Sequence, residues 1–179
     1  MSTPAQTIAS PDASEYAAYY GRYISLVSGD LMTALANQPG ETLSLLSGVS
    51  EEQGDYRYAP DKWSIKELIE HVIDSERVFA YRALRFARND RTPLPGFEQD
   101  DYVRNGSAAT TPLSDLMEEF TAVRRASILL FQKLNPEAWM RRGVANDNEI
   151  TVRAIGYVIA GHELHHRRVL VEKYLRGCE

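Results

Sequence analysis

Three of the chain's four histidines lie in one short run, "GHELHH", at residues 161–166. The run contains the H-E-x-x-H pattern of zinc proteases, from His162 to His166. It also places two histidines four residues apart, a spacing that stacks both imidazoles on one side of a helix. Zinc, nickel, iron and copper all accept imidazole ligands. The run therefore raises three possibilities: a protease site, another metal site, or a histidine-rich helix without metal.

Helical geometry distinguishes the three adjacent histidines from one another. Residues advance about 100° each around a helix axis, so His166 lies about 40° from His162 and His165 about 60° to the other side. The apolar residues of the same helix lie on the His162 and His166 side: Ile155, Val158, Ile159 and Val169. We therefore expect His162 and His166 to point into the core together, with His165 at the margin.

The remaining histidine, His71, lies in another predicted helix, two turns past its start. If the two helices are neighbours, His71, His162 and His166 can converge on one ion and leave coordination positions open, as catalytic zinc sites do. The alternative is a set of histidines at the edge of the core, hydrogen-bonded to protein or water. Two unpaired buried imidazoles would need compensation. We therefore predict that these three residues are metal ligands.

The sequence argues against a protease. Enzymes with the H-E-x-x-H pattern take a third ligand from well beyond the second histidine, but the short segment after His166 contains no further histidine. Glu172 follows on the same helix, about one and a half turns on. Glu163 lies about 100° from His162 and should point away from the histidine face. No other residue is assigned a catalytic role.

Composition limits the class of protein. A chain of 179 residues suggests one domain, and a net charge of −5 argues against nucleic acid as a partner. No apolar run approaches the ~20 residues of a membrane span. The N-terminus lacks the basic start and apolar core of a signal peptide, and Cys178 has no second cysteine to pair with. We expect a cytoplasmic protein with a flexible tail at residues 1–13 and a single domain at 14–179.

Four main helices are predicted, which makes the fold class all-α. The second helix has the clearest start, because Ser64 and Glu67 form an S-x-x-E capping box. The connector after it exceeds 20 residues, which is typical of a crossover or a lid and would let the second and third helices run parallel. No strand is predicted. The first expected helix begins near Asp30 and has a kink at Pro39-Gly40. The other three run from Ser64 to Ala87 or Arg88, from Thr111-Pro112 to about Leu134, and from Thr151 to about Leu175.

Several other residues have two readings each. The connector residues could line or close the site, or could merely pack on the end of the bundle. The early tyrosines could form a subunit interface or cover the core, and Glu76 and Arg124 are most simply solvated or ion-paired. The second helix is apolar on two sides, which suggests a homodimer. The connector residues are Phe97, Asp100, Asp101 and Tyr102, and the tyrosines are Tyr16, Tyr19, Tyr20 and Tyr23.

Three segments, "KWSIKELIEHVIDSER", "PLPGF" and "GHELHH", together resemble the DinB/YfiT-like superfamily over residues 16 to 175. The resemblance implies a four-helix bundle of up-down-down-up order, commonly dimeric. It implies a divalent metal, nickel or zinc, on one histidine of the second helix and an HxxxH pair of the last, which here are His71, His162 and His166. Better-understood members transfer low-molecular-weight thiols such as bacillithiol, mycothiol or glutathione, and others are labelled metal-dependent hydrolases.

The expected function is that of a metal-dependent enzyme acting on a small molecule. It would transfer a low-molecular-weight thiol to an electrophile or hydrolyse a small substrate. The sequence has no nucleophilic Cys or Ser motif, so the nucleophile should be a thiol cosubstrate or water. The alternative is a non-catalytic metal-binding or small-molecule-binding protein of the stress response.

Overall fold

The computed structural model describes residues 7–175 and is mostly helical. Four long helices, two short strands and several short helices make up this part of the chain. In chain order they are α1 (Gly21–Ile24), α2 (Leu31–Leu46), α3 (Glu51–Gly54), α4 (Ile65–Ala87), α5 (Gln99–Asn105), α6 (Leu113–Phe131), α7 (Pro136–Met140), β1 (Arg142–Ala145), β2 (Asn148–Thr151) and α8 (Val152–Val169). Short 3₁₀ turns lie at Ala13–Glu15 and Ala18–Tyr20, and a π-helical turn follows α8 at Leu170–Leu175.

The long helices begin close to the predicted capping residues. The backbone N–H of Glu67 donates to Ser64 Oγ at 3.2 Å, and the Glu67 carboxylate accepts from Ser64 N at 2.7 Å, which completes the capping box. Asp30 and Thr151 cap α2 and α8 through the side chain alone, since each accepts a hydrogen bond from a backbone N–H three residues on. Helix α2 continues through Pro39 as one element. None of the described helices has the length and apolar character needed to cross a membrane.

The long helices pack around a core that is divided into two apolar clusters. Helices α4 and α2 each contact both α6 and α8. One cluster contains Leu31, Phe79 and Phe131, and the other contains Leu46 and Phe120. On each long helix, buried polar residues lie between the two clusters, and together they form a polar layer across the middle of the bundle.

Arg124 lies at the centre of this polar layer and is 1% exposed. Its guanidinium donates to both carboxylate oxygens of Glu76 and forms an ion pair with Glu163 at 2.7 Å. Thr42 Oγ1 donates to Glu163 at 2.6 Å, and Gln38 accepts from Arg124 at 3.1 Å. Of the two readings of Glu76 and Arg124, solvated or ion-paired, the structure shows the ion pair, but this pair is buried and its network links all four long helices. Such a network fixes the relative positions of the helices, because shifting one would leave a buried charge unpaired.

The segment before the first helical turn is attached to the bundle. Ile8 is buried, and its carbonyl accepts a hydrogen bond from the Tyr157 hydroxyl at 2.8 Å. Its backbone N–H donates to Asp30 at 3.3 Å. From residue 7 onward the predicted flexible tail is therefore packed against α2 and α8, because Ile8 supplies an apolar side chain to the core. Residues 1–6 of that tail and Cys178 lie outside the described residues.

The prediction of no strands was wrong for the segment before α8. Strands β1 and β2 pair antiparallel from Arg142↔Thr151 to Ala145↔Asn148. Asn146 and Asp147 form the two-residue turn with φ of 51° and 60°, values that asparagine and aspartate tolerate better than most residues. The connector after α4 joins this hairpin, since Leu94 N donates to Val144 O at 2.9 Å. A four-residue strand carries too few positions for an alternating pattern to be recognised.

Candidate metal centre

The three predicted histidines come together where α4 faces α8. His162 Nε2 lies 3.2 Å from His71 Nε2 and 3.1 Å from His166 Nε2. Each residue offers one ring nitrogen, and the three nitrogens lie within 4.8 Å of one another. In a tetrahedral zinc site with Zn–N near 2.0–2.1 Å, neighbouring ligand nitrogens lie about 3.3 Å apart. The observed separations are close to that edge length.

Burial keeps the cluster neutral. His71 is 4% exposed and His162 is 6% exposed. Burial lowers the pKa of His71 to about 4, opposed by the nearby Asp100 carboxylate. Burial, with the neighbouring histidines as a smaller cause, lowers the pKa of His162 and of His166 well below the usual imidazole value. All three side chains are therefore in the uncharged form, which is the form that binds metal.

The donor set fits a divalent ion. A neutral imidazole has one donor and one acceptor nitrogen, so three Nε2 atoms that face each other cannot all be satisfied by N–H donation among themselves. His166 Nδ1, on the other side of the ring, is buried without a hydrogen-bond partner among residues 7–175, and an ion on the Nε2 atoms would not supply one. A cation at the centre would accept all three Nε2 lone pairs and leave each Nδ1 as the donor. His71, His162 and His166 are thus the residues that could hold it.

His165 and Glu163 lie outside the cluster, as the helical geometry predicted. The His165 ring is half-buried and contacts the Tyr23 ring at 5.5 Å. Glu163 points away from the histidine face, but towards the core and Arg124 rather than towards solvent. Burial raises the pKa of Glu163, and Arg124 opposes that shift. Glu163 is therefore a core residue and is not placed to act as the base of a protease.

A cavity of about 400 Å³ opens beside the histidines, and both His71 and His162 line it. Phe97 and Asp100 of the connector line it too, as one of the two predicted readings had it. Asp101 and Tyr102 are not among the lining residues, although the Tyr102 ring packs on Phe97 at 5.1 Å. The rest of the wall comes from Ala17, Tyr19, Tyr20, Tyr23, Ser75, Phe79, Arg82, Gly96, Glu98, Gln99, Asn146 and Asn148.

Three of the four early tyrosines, Tyr19, Tyr20 and Tyr23, form one wall of this cavity, a role that the sequence did not reveal. The Tyr23 ring contacts the His162 ring at 5.2 Å, and the Tyr20 ring contacts Phe79 at 6.2 Å. Gly161 allows the Tyr23 backbone to approach α8 closely, because a Cβ at position 161 would lie 2.1 Å from the Tyr23 carbonyl oxygen. A glycine directly before His162, inside a helix, was the available signal, since glycine in a helix often marks a close approach of another backbone.

The helical bundle and the three histidines that converge beside a cavity define the class of this protein, which is a helical protein with a candidate metal centre. The chain belongs to the DinB superfamily, whose sequence model matches residues 34–170. It is 26% identical over 132 residues to a protein of Oceanobacillus iheyensis named as a candidate metal-dependent hydrolase, covering 73% of each chain. The resemblance expected from the sequence is thereby confirmed.

Two solved structures share the fold. YfiT from Bacillus subtilis, described as a probable metal-dependent hydrolase with an unusual four-helix bundle topology, aligns with a TM-score of 0.75. The alignment covers 83% of this chain and 86% of that one at 16% identity. The DinB-like protein YjoA of Bacillus subtilis aligns with a TM-score of 0.61 at 17% identity, covering 83% and 92%. At these identities the likeness establishes the helical-bundle fold alone.

Proposed function

We propose that this protein is a metal-dependent enzyme in which His71, His162 and His166 hold a divalent ion, zinc or nickel, and a small substrate occupies the adjacent cavity. The observation that carries the proposal is the convergence of three neutral Nε2 atoms, 3.1 and 3.2 Å apart, at the wall of that cavity. Three protein ligands leave coordination positions open, which is typical of catalytic rather than structural sites.

A bound divalent ion would supply Lewis acidity, which lowers the pKa of a thiol or water that reaches its open position. The protein's own residues would do the rest. The neutral imidazoles fix the position of the ion, and the rings of Tyr23 and Phe79 cover the His162 side and exclude bulk water. Within residues 7–175 no cysteine lies at the site, so the nucleophile comes from a cosubstrate or from solvent.

Transfer of a low-molecular-weight thiol to an electrophile is our first choice of reaction, and it rests on the family resemblance. Bacillithiol, mycothiol and glutathione are the candidate thiols. Hydrolysis of a small substrate is the second choice, favoured by the name of the Oceanobacillus iheyensis relative. Both reactions need the same ion at the same place.

The arrangement of the chain belongs to the same proposal. We infer the up-down-down-up order from which parts of the helices meet. The first halves of α4 and α6 share one apolar cluster, which contains Leu68 and Leu116, and their second halves share the other, which contains Phe86 and Phe131, so these two helices run parallel. His71 meets His162 and Trp63 meets Tyr174, so α4 and the C-terminal segment run antiparallel. We further propose a homodimer, a single domain at residues 14–179, a cytoplasmic location, and no nucleic-acid or membrane partner.

Metal analysis and activity assays test the function directly. Protein purified without a histidine tag should contain about one zinc or nickel ion per chain. The loaded protein should accelerate conjugation of glutathione, bacillithiol or mycothiol to an electrophile, or hydrolysis of an activated ester or amide, and His166→Ala should be inactive in the same assay. A fully loaded protein that is silent in every assay would instead support a non-catalytic metal-binding protein.

A further inference from the structure

Two arginines are buried among the described residues, and their surroundings differ. Arg124 is 1% exposed and is neutralised by two carboxylates, Glu76 and Glu163. Arg82 is 4% exposed and lines the cavity beside the histidines. Within residues 7–175, no carboxylate lies within ion-pair distance of Arg82. One buried arginine is therefore balanced by carboxylates and the other is not.

The partners of Arg82 are all neutral. Its Nη2 donates to the Pro95 carbonyl at 2.8 Å. Its guanidinium carbon lies 5.7 Å from the centre of the Phe79 ring and 5.9 Å from that of Phe97. These contacts hold the guanidinium in one place and leave its charge uncompensated. Burial lowers the pKa of Arg82, although arginine remains charged in proteins.

An unpaired buried charge is costly, and proteins normally supply a counter-ion for one. We propose that Arg82 binds the carboxylate of the substrate, so that the substrate of this metal centre is a small monocarboxylate with an apolar spacer between its carboxylate and its reacting group. For the reacting group of the substrate, the inference rests on the proposed function. For the carboxylate of the substrate, it rests on Arg82. The planar guanidinium matches a carboxylate, with which it can form two parallel hydrogen bonds.

The spacer follows from the position of Phe79. Its ring lies 6.2 Å from the His162 ring, and the Arg82 guanidinium lies over the same ring. The Tyr20 ring, at the end of the 3₁₀ turn Ala18–Tyr20, packs edge-on against Phe79 with 6.2 Å between the ring centres. A ligand that joins Arg82 to the histidines must therefore cross aromatic surface, which favours methylene or aromatic groups over further polar ones.

Two carboxylates limit the charge of the ligand. Glu98 and Asp100 are exposed at the rim of the same cavity. They would repel a second negative group on the substrate, and they could accept an ammonium group. A single carboxylate, or a zwitterion that carries one, therefore fits better than a phosphate or a dicarboxylate. The reacting group is bound at the proposed ion, and the described lining residues include no cationic side chain other than Arg82 for a second negative group.

A matched ligand pair tests the proposal on the full-length, zinc-loaded protein. Isothermal titration with 3-phenylpropionate and with 3-phenylpropanamide compares two ligands of the same shape that differ in charge. The carboxylate should bind about tenfold more tightly or better, since a hydrogen bond to a charged group is stronger than one to a neutral group. Arg82→Gln should remove the preference. Arg85→Gln should keep it, because Arg85 is on the same helix but pairs with Asp90 outside the cavity.

Three further measurements separate the outcomes. Arg82→Lys, which retains the positive charge, should keep part of the preference even if Arg82→Gln folds poorly. Repeating the titration after zinc removal should leave the preference for the carboxylate intact. If the preference instead disappears with zinc and survives in Arg82→Gln, the carboxylate binds the ion and the proposal is overturned. Equal affinities for the two ligands would also overturn it. Failure to bind zinc at all would overturn the proposed function but not the carboxylate preference of the metal-free protein.

Discussion

Glu163 Oε2 lies 2.7 Å from Arg124 Nη2 in the centre of the bundle, one residue along α8 from His162. The same helix thus presents a neutral imidazole to the candidate metal centre and a carboxylate to the buried ion network. Because residues 162 and 163 are about 100° apart around the helix, any rotation of α8 would disturb both at once. The ion network and the histidine cluster therefore stabilise one rotational setting of α8.

Glu163→Gln should destabilise the fold without removing metal. The substitution weakens the charged hydrogen bonds of a carboxylate that is 2% exposed, and Glu76 remains as the partner of Arg124. We expect a loss of about 2 kcal/mol in the free energy of unfolding, measured with urea at pH 8, together with unchanged zinc stoichiometry. Glu41→Gln is the control, since Glu41 pairs with Arg167 at the exposed surface and should matter little. Normal stability with full zinc binding but no activity would instead favour a catalytic role for Glu163.

The sequence predicted the helices and the three histidines because both depend on local rules. A capping box fixes where α4 begins, and the 3.6-residue period places His162 and His166 on one side of α8. The sequence could not predict that Arg124 of α6 would lie between Glu76 and Glu163. That pairing depends on how three helices pack, and each residue alone looks like an ordinary surface charge.

The wall of the cavity was equally hard to predict. The early tyrosines and the Asn146 turn are far from His162 in the chain, and only the tertiary structure brings them together. Arg82 follows His71 by eleven residues on α4, which places both on one side of the helix, but the sequence contains no sign that Arg82 would lack a carboxylate partner. The local pattern thus identified the histidines of the candidate metal centre, and only the packing identified the residues that line the cavity beside them.

Gly161→Ala should disturb the tyrosine wall. The added Cβ would lie 2.1 Å from the Tyr23 carbonyl oxygen, which is backbone and cannot move without shifting α1. We expect a loss of several kcal/mol, on the order of other overpacked core substitutions, and a weaker affinity for cavity ligands. Gly40→Ala is the matched control in α2. A Cβ there meets nothing within 4 Å, so it should stabilise the helix by about 0.5–1 kcal/mol. Equal effects of the two substitutions would contradict the close contact.

The metal-free protein should lose stability as the pH falls below neutral. The pKa of His71 is lowered from 6.5 to about 4 by burial. Below pH 6.5 the unfolded chain therefore takes up a proton that the folded chain does not, so the free energy of unfolding falls with pH until about pH 4. Between pH 7.5 and 5.5 the parent should lose ~1 kcal/mol more than His71→Gln, with a chelator present throughout. Parallel profiles for parent and variant would show that His71 is not buried in the neutral form.

The proposed homodimer should depend on the exposed side of α4. Tyr81 is 51% exposed and Leu84 is 39% exposed, three residues apart on the same helix face. We expect sedimentation to give a dimer at tens of micromolar, on the order of typical assay concentrations, and Leu84→Glu to give a monomer, because a buried carboxylate would be unpaired. Tyr56→Glu places the same charge on another exposed aromatic residue, 50% exposed, and should leave the dimer intact. A monomeric parent would remove the dimer from the proposal.

The adjacent histidines of α8 give the sharpest test of the metal centre. His71, His162 and His166 bring their ring nitrogens within 4.8 Å of one another, whereas His165 packs against Tyr23. Replacing any of the three by Ala removes a ligand and should weaken zinc binding by at least about a hundredfold, since losing only a hydrogen-bond partner of a ligand already costs about 10–100-fold. His165→Ala is the matched control, because it removes an imidazole from the same turn and should leave one zinc per chain. Isothermal titration of zinc into the metal-free forms of all four variants compares them directly. Loss of zinc from His165→Ala, with full binding in His162→Ala or His166→Ala, would show that the ion, if any, lies on a different face of α8.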